Sequence, residues 1–114
     1  PTDKKSREYK AYAKKIPMLI KNNGLGATFA FIKSKAKAKE DKPGLPCKLL
    51  YEQTDKWLKQ YDAQIFNQGK DLEKTIISIS SAEYRAVTIE VLALFNWLRR
   101  FVEGLIEGEA EDEN

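Results

Sequence analysis

The chain has 114 residues, of which 42% are hydrophobic and 32% charged, and its formal net charge is +3. It contains no histidine and a single cysteine, Cys47, which excludes an internal disulfide, a multi-cysteine zinc site and the common histidine-dependent catalytic pairs. No apolar run approaches the about 20 residues that span a bilayer and no signal peptide is evident, so we expect one cytoplasmic domain without a cofactor or metal.

Charge is distributed unevenly along the chain. Residues 1–42 carry 12 Lys or Arg against 4 Asp or Glu, residues 43–102 carry 8 against 7, and residues 103–114 carry 6 acids and no base. A basic front segment favours a polyanionic partner, although charge-rich helices also need wetted faces. We expect residues 1–108 to form a single helical domain and residues 109–114 to be a disordered acidic tail.

Apolar spacing in the first part of the chain follows the helical period. The first helix is predicted from Thr2 or Ser6 to Asn22, with Pro17 kinking or restarting it and Gly24 providing a left-handed cap. Its apolar stripe consists of Tyr9, Tyr12, Ala13, Ile16, Leu19 and Ile20. The basic side chains predicted to lie on roughly the opposite face and to bind phosphate are Arg7, Lys10, Lys14 and Lys21.

A second helix is predicted over residues 25–38, followed by a loop over residues 39–46 that holds two prolines and a glycine. Its inner stripe consists of Leu25, Thr28, Phe29, Ile32 and Ala36. Phe31 lies off this stripe, which predicts that the second helix contacts two neighbours. The lysines near its C-terminal end complement the helix dipole and are also predicted to contact the phosphates of a nucleic acid: Lys33, Lys35 and Lys37.

A third helix is predicted from Pro46 to about Asn67, ended by Gly69. Its buried side is expected to consist of Leu49, Leu50, Trp57, Leu58, Tyr61 and Ile65. A short fourth helix follows, with Asp71 as its N-cap, although the β-branched residues 75–77 would also suit a strand. The apolar positions of this fourth helix are Leu72, Thr75, Ile76 and Ile79.

The last helix has the clearest signature, since Ser80 and Glu83 form an S-x-x-E capping box and the helix ends near Gly104 or Gly108. Apolar residues repeat at three and four: Tyr84, Val87, Val91, Leu94, Phe95, Leu98, Phe101, Val102 and Leu105. More apolar residues lie on its other sides: Ile89, Leu92 and Trp97. This pattern predicts a central helix wrapped by the others, with Trp97 a candidate for burial.

Two arginines near the end of this helix form a separate candidate site. Arg99 and Arg100 directly follow Trp97-Leu98. One of them is expected to complement the helix dipole and pair with Glu103, and the other to contact RNA or a partner. Because the cations of the chain are mainly lysines with few aromatics among them, we expect phosphate contact without base reading or base stacking.

Two stretches carry a recognisable order of packing motifs. They read IPMLIKNNGLGATFAFIKSK at residues 16–35 and EVLALFNWLRRFVE at residues 90–103, and residues 49–58 supply Leu49, Leu50 and Trp57-Leu58 between them. In order and spacing they resemble the small α-helical subunit of the Cmr complexes, the type III-B CRISPR effectors. The resemblance implies an all-α, compact single-domain bundle of five to six helices with a long C-terminal central helix.

The same resemblance implies a non-catalytic scaffold role in RNA-guided RNA silencing. Copies of such subunits stack head to tail into an inner filament beside the RAMP backbone subunits that hold the guide RNA. Target RNA then passes between the two filaments, and the small subunit also contacts the large polymerase-like subunit. Cleavage belongs to the backbone subunits in this family.

Two other functions stay open on the residues alone. A helical DNA-binding regulator needs Arg, Asn or Gln on a recognition helix facing one groove, whereas the basic helices here are dominated by lysine. A protein adaptor would use the same lysines to dock an acidic partner. A sequence-specific shift of a DNA duplex would favour the regulator, and partners retained after RNase treatment but lost in high salt would favour the adaptor.

Overall fold

A computed structural model describes residues 4–37 and 44–105 of the protein, and within these ranges it contains six helices and no strand. The helices are α1 (Lys4–Asn23), α2 (Leu25–Lys37), α3 (Gly44–Tyr61), α4 (Ala63–Phe66), α5 (Leu72–Ile76) and α6 (Ser81–Leu105). The predicted all-α bundle of five to six helices is confirmed. The predicted start at Thr2, the last residue of the second helix, most of the loop and the acidic tail lie outside the described residues.

The turn between α1 and α2 follows from local chemistry. Gly24 has a φ of 90°, a left-handed conformation that glycine adopts without steric cost, and its N–H donates to the carbonyl of Ile20 at 2.8 Å. The predicted cap at Gly24 is therefore confirmed. Pro17 lies inside α1, which continues as one helix on both sides of it, so the predicted restart does not occur.

The hydrophobic core lies where α1, α2, α3 and α6 meet. Phe29 of α2 is fully buried and its ring lies 6.5 Å from the ring of Tyr51 and 6.4 Å from that of Phe95. The predicted inner stripe of α2 is buried except for Ala36, which is half-buried. Full burial of each large apolar side chain stabilises the fold by about 1.5 to 3 kcal/mol. Helix α2 packs against α1, α3 and α5, which confirms its predicted contact with more than one neighbour, although Phe31 itself is 40% exposed.

The third predicted helix differs from the structure in length and in its buried side. It ends at Tyr61 because Asp62 has extended backbone angles and its carboxylate accepts from the Ile65 N–H at 3.2 Å, which caps the separate helix α4. Leu50 and Leu58 are buried as predicted, but three of the expected core residues are exposed: Leu49 (41%), Trp57 (38%) and Tyr61 (45%). The side of α3 that packs against its neighbours instead contributes Cys47, Tyr51 and Thr54.

The short helix α5 and the start of α6 confirm two predictions. Residues 72–76 are helical and Asp71 precedes them with extended backbone angles, although its carboxylate makes no capping bond. The Glu83 N–H donates to the Ser80 hydroxyl and the Ser80 N–H donates to the Glu83 carboxylate, both at 3.1 Å. This reciprocal pair is the predicted capping box, which satisfies two backbone donors at the start of α6.

Helix α6 is the longest of the bundle, as predicted, but it lies at one side of it. It packs against α1 and α3, and its N-terminal Tyr84 contacts Leu25 whereas its C-terminal Glu103 contacts Lys14, so α1 and α6 run antiparallel. Its outer apolar side chains stay exposed: Ile89 (69%), Trp97 (57%), Phe101 (48%) and Leu105 (64%). Helix α6 is therefore not wrapped on all sides as expected, and Trp97, whose burial the sequence left open, is exposed, because α1 and α3 pack against other sides of the helix.

In residues 4–37 and 44–105, no helix combines the length and the apolar character that crossing a membrane requires.

Candidate nucleic-acid interface

A basic cleft lies between α1 and α6. It has a volume of about 260 Å³ and is lined by Lys14, Pro17, Lys21, Leu92, Phe95, Asn96 and Arg99. The residues on each helix are three or four positions apart, a spacing that places them on one face. The antiparallel packing of the two helices then brings the α1 lysines opposite the α6 arginine. Three of the nine predicted RNA-binding residues therefore share one surface.

Two cations of this cleft make weak contacts with described residues. Lys14 Nζ lies 3.6 Å from Glu103 Oε2, with both side chains nearly half exposed, and Arg99 Nη2 donates to Asn96 Oδ1 at 3.4 Å. An exposed ion pair of this kind contributes about 0 to 1 kcal/mol. Glu103 pairs with Lys14, so the pairing expected between Glu103 and an arginine is not the one observed. A phosphate group can displace Glu103 at little cost and gain charge-assisted hydrogen bonds to Lys14 and Arg99.

Lys33 is brought into a structural network away from the cleft. Its ammonium lies 3.4 Å from the Tyr51 hydroxyl, 3.8 Å from the Asp71 carboxylate and 4.5 Å from the centre of the Tyr51 ring. The Tyr51 hydroxyl also donates to Glu73 at 2.6 Å and accepts from the Leu72 N–H at 3.0 Å. Lys33 thus helps to join α2, α3 and α5, and its RNA contact stays a prediction.

The other two predicted lysines of α2 lie outside the cleft as well. Lys35 is half-buried, with its ammonium 5.4 Å from the centre of the Phe31 ring, a weak cation–π contact. Lys37 is the exposed last residue of α2. The three α2 lysines therefore do not line the surface that Lys14 and Lys21 form with Arg99.

The remaining predicted residues border the cleft or face away from it. Arg7 and Lys10 share the α1 face of Lys14 by their spacing, but both are half-buried and engaged in contacts within the protein. Arg100 is exposed, and the rotation of about 100° per residue turns it away from Arg99 toward the outer side of α6. Helical rotation separates the two neighbouring arginines, and the packing of α1 against α6 determines which of them faces the cleft.

Sequence reasoning missed the uncharged residues of the cleft. Asn96 and Leu92 continue the α6 stripe to which Arg99 belongs, at spacings of three and four residues. That periodicity is visible in the sequence, but the apolar pattern alone places Leu92 on an off-stripe side of the helix. Asn96 accepts a weak hydrogen bond from Arg99, and the buried Phe95 forms the apolar floor.

Two tyrosines elsewhere in the fold have shifted ionisation. Burial raises the pKa of Tyr9, an effect that its hydrogen bond to Gln53 partly offsets. The pKa of Tyr51 is raised as well, mainly by burial and to a smaller extent by the hydrogen bond to Glu73. Both phenols are therefore neutral near pH 7 and serve as hydrogen-bonding groups that join helices. Among the described residues, no cluster of three or more His, Cys, Asp or Glu side chains is placed to hold a metal ion.

The fold and the site together describe a small helical protein with a basic cleft between two antiparallel helices. Residues 1–105 match the family model described as CRISPR-associated protein (Cas_Cmr5). The chain is also 31% identical over 103 residues to the CRISPR system Cmr subunit Cmr5 of Thermus thermophilus, covering 88% of this chain and 76% of that protein. The chain belongs to the CRISPR-associated Cas_Cmr5 family, which confirms the resemblance of the two sequence stretches.

Proposed function

We propose that this protein is the non-catalytic small subunit of a Cmr complex, in which it helps to hold target RNA along the guide. Membership of the Cas_Cmr5 family and the name of the Thermus relative support the place in a Cmr complex. The observation that carries the RNA-holding role is the convergence of Lys14, Lys21 and Arg99 on the cleft between α1 and α6. Cations at this spacing suit a phosphate backbone and read no base sequence.

The partners follow from this role. Copies of the chain stack into an inner filament, contact the RAMP backbone subunit and the large polymerase-like subunit, and leave the cleft facing guide and target RNA. Chemistry is left to other subunits in this proposal, as the family resemblance implies. Residues 1–108 act as one helical domain, residues 109–114 as an acidic tail, and the protein works in the cytoplasm. The other predicted RNA contacts at Arg7, Lys10, Lys33, Lys35, Lys37 and Arg100 are secondary in this proposal.

The test is capture of labelled single-stranded target RNA by the reconstituted, guide-loaded complex. We expect the triple variant Lys14→Glu, Lys21→Glu, Arg99→Glu to weaken capture roughly ten- to a hundredfold at low salt, because the replaced cations no longer neutralise phosphates. Native mass spectrometry of the complex checks that the variant is still incorporated. The isolated subunit, incubated with the same RNA, should release no cleavage product.

A matched control reverses three exposed lysines elsewhere. The variant Lys48→Glu, Lys70→Glu, Lys74→Glu changes the net charge by the same amount on α3 and around α5. Capture close to that of the wild type in this control, with loss in the cleft variant, supports the proposal. Equal loss in both variants would show a diffuse charge effect, and unchanged capture in the cleft variant would exclude the cleft as the RNA-holding surface.

A further inference from the structure

The outer side of α6 carries a continuous stripe of six residues that is largely exposed, with α3 bordering it at Glu90 and Trp97. The six are separated by steps of four and three residues, so at about 100° per residue they form one narrow band along the helix. They are Ala86, Glu90, Ala93, Trp97, Arg100 and Gly104. Glu90 is half-buried and the other five are exposed. Alternating steps of three and four are the spacing of a seam between two paired helices.

Packing within the chain does not account for the composition of this stripe. A β-carbon added at Gly104 would meet no atom within 4 Å, so no neighbour in the described bundle requires a glycine there. Trp97 is 57% exposed although its ring is stacked on that of Phe101, with the ring centres 5.1 Å apart and the planes at 11°. Small residues on both sides of an exposed indole leave room for a second helix to approach closely.

We propose that α6 pairs with α6 of a second copy of this chain, antiparallel, about a two-fold axis close to residue 95. In this register the stripe is complementary to itself. Ala86 lies opposite Gly104 of the second copy, Glu90 opposite Arg100 and Ala93 opposite Trp97. The three pairs, each made twice, match small with small, acid with base and small with large.

The side chains of the stripe are held in positions that suit this pairing. Trp57 Nε1 donates to Glu90 Oε2 at 2.8 Å, which fixes the carboxylate at the edge of the stripe. The Phe101 stack likewise limits the freedom of the Trp97 ring. Because both groups are ordered before pairing, less conformational entropy is lost when the interface forms. The small side chains at Ala86, Ala93 and Gly104 allow the two helix axes to approach to the short end of the usual range of about 8 to 10 Å.

The charges of the stripe favour a second copy of the chain as the partner and an antiparallel orientation of the two α6 helices. A parallel pair of α6 helices would place Glu90 opposite Glu90 and Arg100 opposite Arg100, which repel, whereas the antiparallel pair joins opposite charges. A two-fold contact uses the same surface on both copies and closes at two. It therefore differs from the head-to-tail contact of the proposed filament, and it does not depend on RNA or on the other subunits.

The test is sedimentation equilibrium of the isolated full chain without RNA, over a series of concentrations. It compares the wild type with variants in which the charges at Glu90 and Arg100 are reversed one at a time and then exchanged. We expect a monomer–dimer equilibrium for the wild type and at least a tenfold weaker association for Glu90→Arg and for Arg100→Glu, because each places like charges in contact. The double variant Glu90→Arg, Arg100→Glu should recover most of the association, since it restores opposite charges with their positions exchanged.

The design separates pairing from folding. Both Glu90→Arg and the double variant lose the bond from Trp57, so damage to that bond cannot explain recovery in the double variant. Ala93→Glu, which places a charge against the second copy's indole, should also be monomeric while its circular dichroism matches the wild type. A wild type that stays monomeric at the highest concentration, a double variant no better than the singles, or open-ended growth beyond dimers would each overturn the proposal.

Discussion

At the scale of single residues, Tyr84 shows how one side chain joins two distant helices. Its hydroxyl accepts from the N–H groups of Leu25 and Gly26, at 2.8 and 3.2 Å, and so satisfies the first amides of α2 from within α6. The β-carbon position at Gly24 lies only 3.1 Å from the same oxygen and the φ there is 90°, so a side chain at this turn would be both crowded and strained. The tyrosine, the glycine and the helix start therefore form one interdependent joint.

Removal of this hydroxyl should destabilise the fold. In Tyr84→Phe two amides in a largely buried turn lose their acceptor, so we expect a loss of about 1 to 3 kcal/mol in the free energy of unfolding, measured by urea denaturation. Tyr61→Phe is the control, because the Tyr61 side chain is 45% exposed and should change stability by less than about 0.5 kcal/mol. Equal effects in the two variants would contradict the stabilising role of the Tyr84 hydroxyl at the start of α2.

At the scale of elements, α6 illustrates the difference between an apolar helix and a covered one. Phe95 is fully buried against Phe29, whereas Trp97, two positions further on, is more than half exposed. The sequence pattern places Phe95 on the main apolar stripe and Trp97 off it, but in a helix that is apolar on several sides it does not show which of those sides are covered. Their contributions to stability should therefore differ more than their residue types suggest.

We expect Phe95→Ala to cost about 3 to 5 kcal/mol, since it removes a buried ring and leaves a cavity. Trp97→Ala should cost less than half as much, because most of the indole surface already meets water in the monomer. Thermal melts at a concentration too low for self-association compare the two variants directly. A Trp97→Ala loss as large as that of Phe95→Ala would show that the indole is buried and that the outer side of α6 is not an open surface.

At the scale of the whole molecule, two opposite sides of α6 carry different surfaces. One side forms the basic cleft with Lys14 and Lys21, and the other carries the largely exposed stripe that includes Trp97. The overall charge of +3 conceals this separation. RNA binding and contact between copies can therefore use different surfaces of the same bundle.

The charge of the cleft predicts how steeply the affinity for target RNA falls with salt concentration. Each phosphate neutralised on a single strand adds about 0.7 to the slope of log affinity against log salt. Replacing Lys14, Lys21 and Arg99 by alanine should therefore lower that slope by up to about 2 for capture of target RNA by the complex. RNAs of different sequence should respond alike. An unchanged slope, or an effect restricted to one sequence, would argue against phosphate contact in the cleft.

Local features of this fold could be predicted because their causes lie within a few residues. Gly24 takes the left-handed conformation that its position after α1 requires, and Ser80 and Glu83 form the capping box that their spacing predicts. The buried side of α3 could not be predicted in the same way. Size favours Trp57 and Tyr61 as core residues, but burial of a large side chain depends on whether a neighbouring helix lies over it.

The candidate site shows the same division. The sequence by itself determined the all-helical class, the basic character of α1 and α2, and the family, since helical periodicity, charge and motif order are properties of neighbouring residues. Only the tertiary structure decided that Lys14 and Lys21 meet Arg99, that Lys33 is tied to Tyr51, and that α6 keeps an open side. Those outcomes depend on the direction and rotation at which distant helices pack, and the pattern of a single helix contains neither quantity.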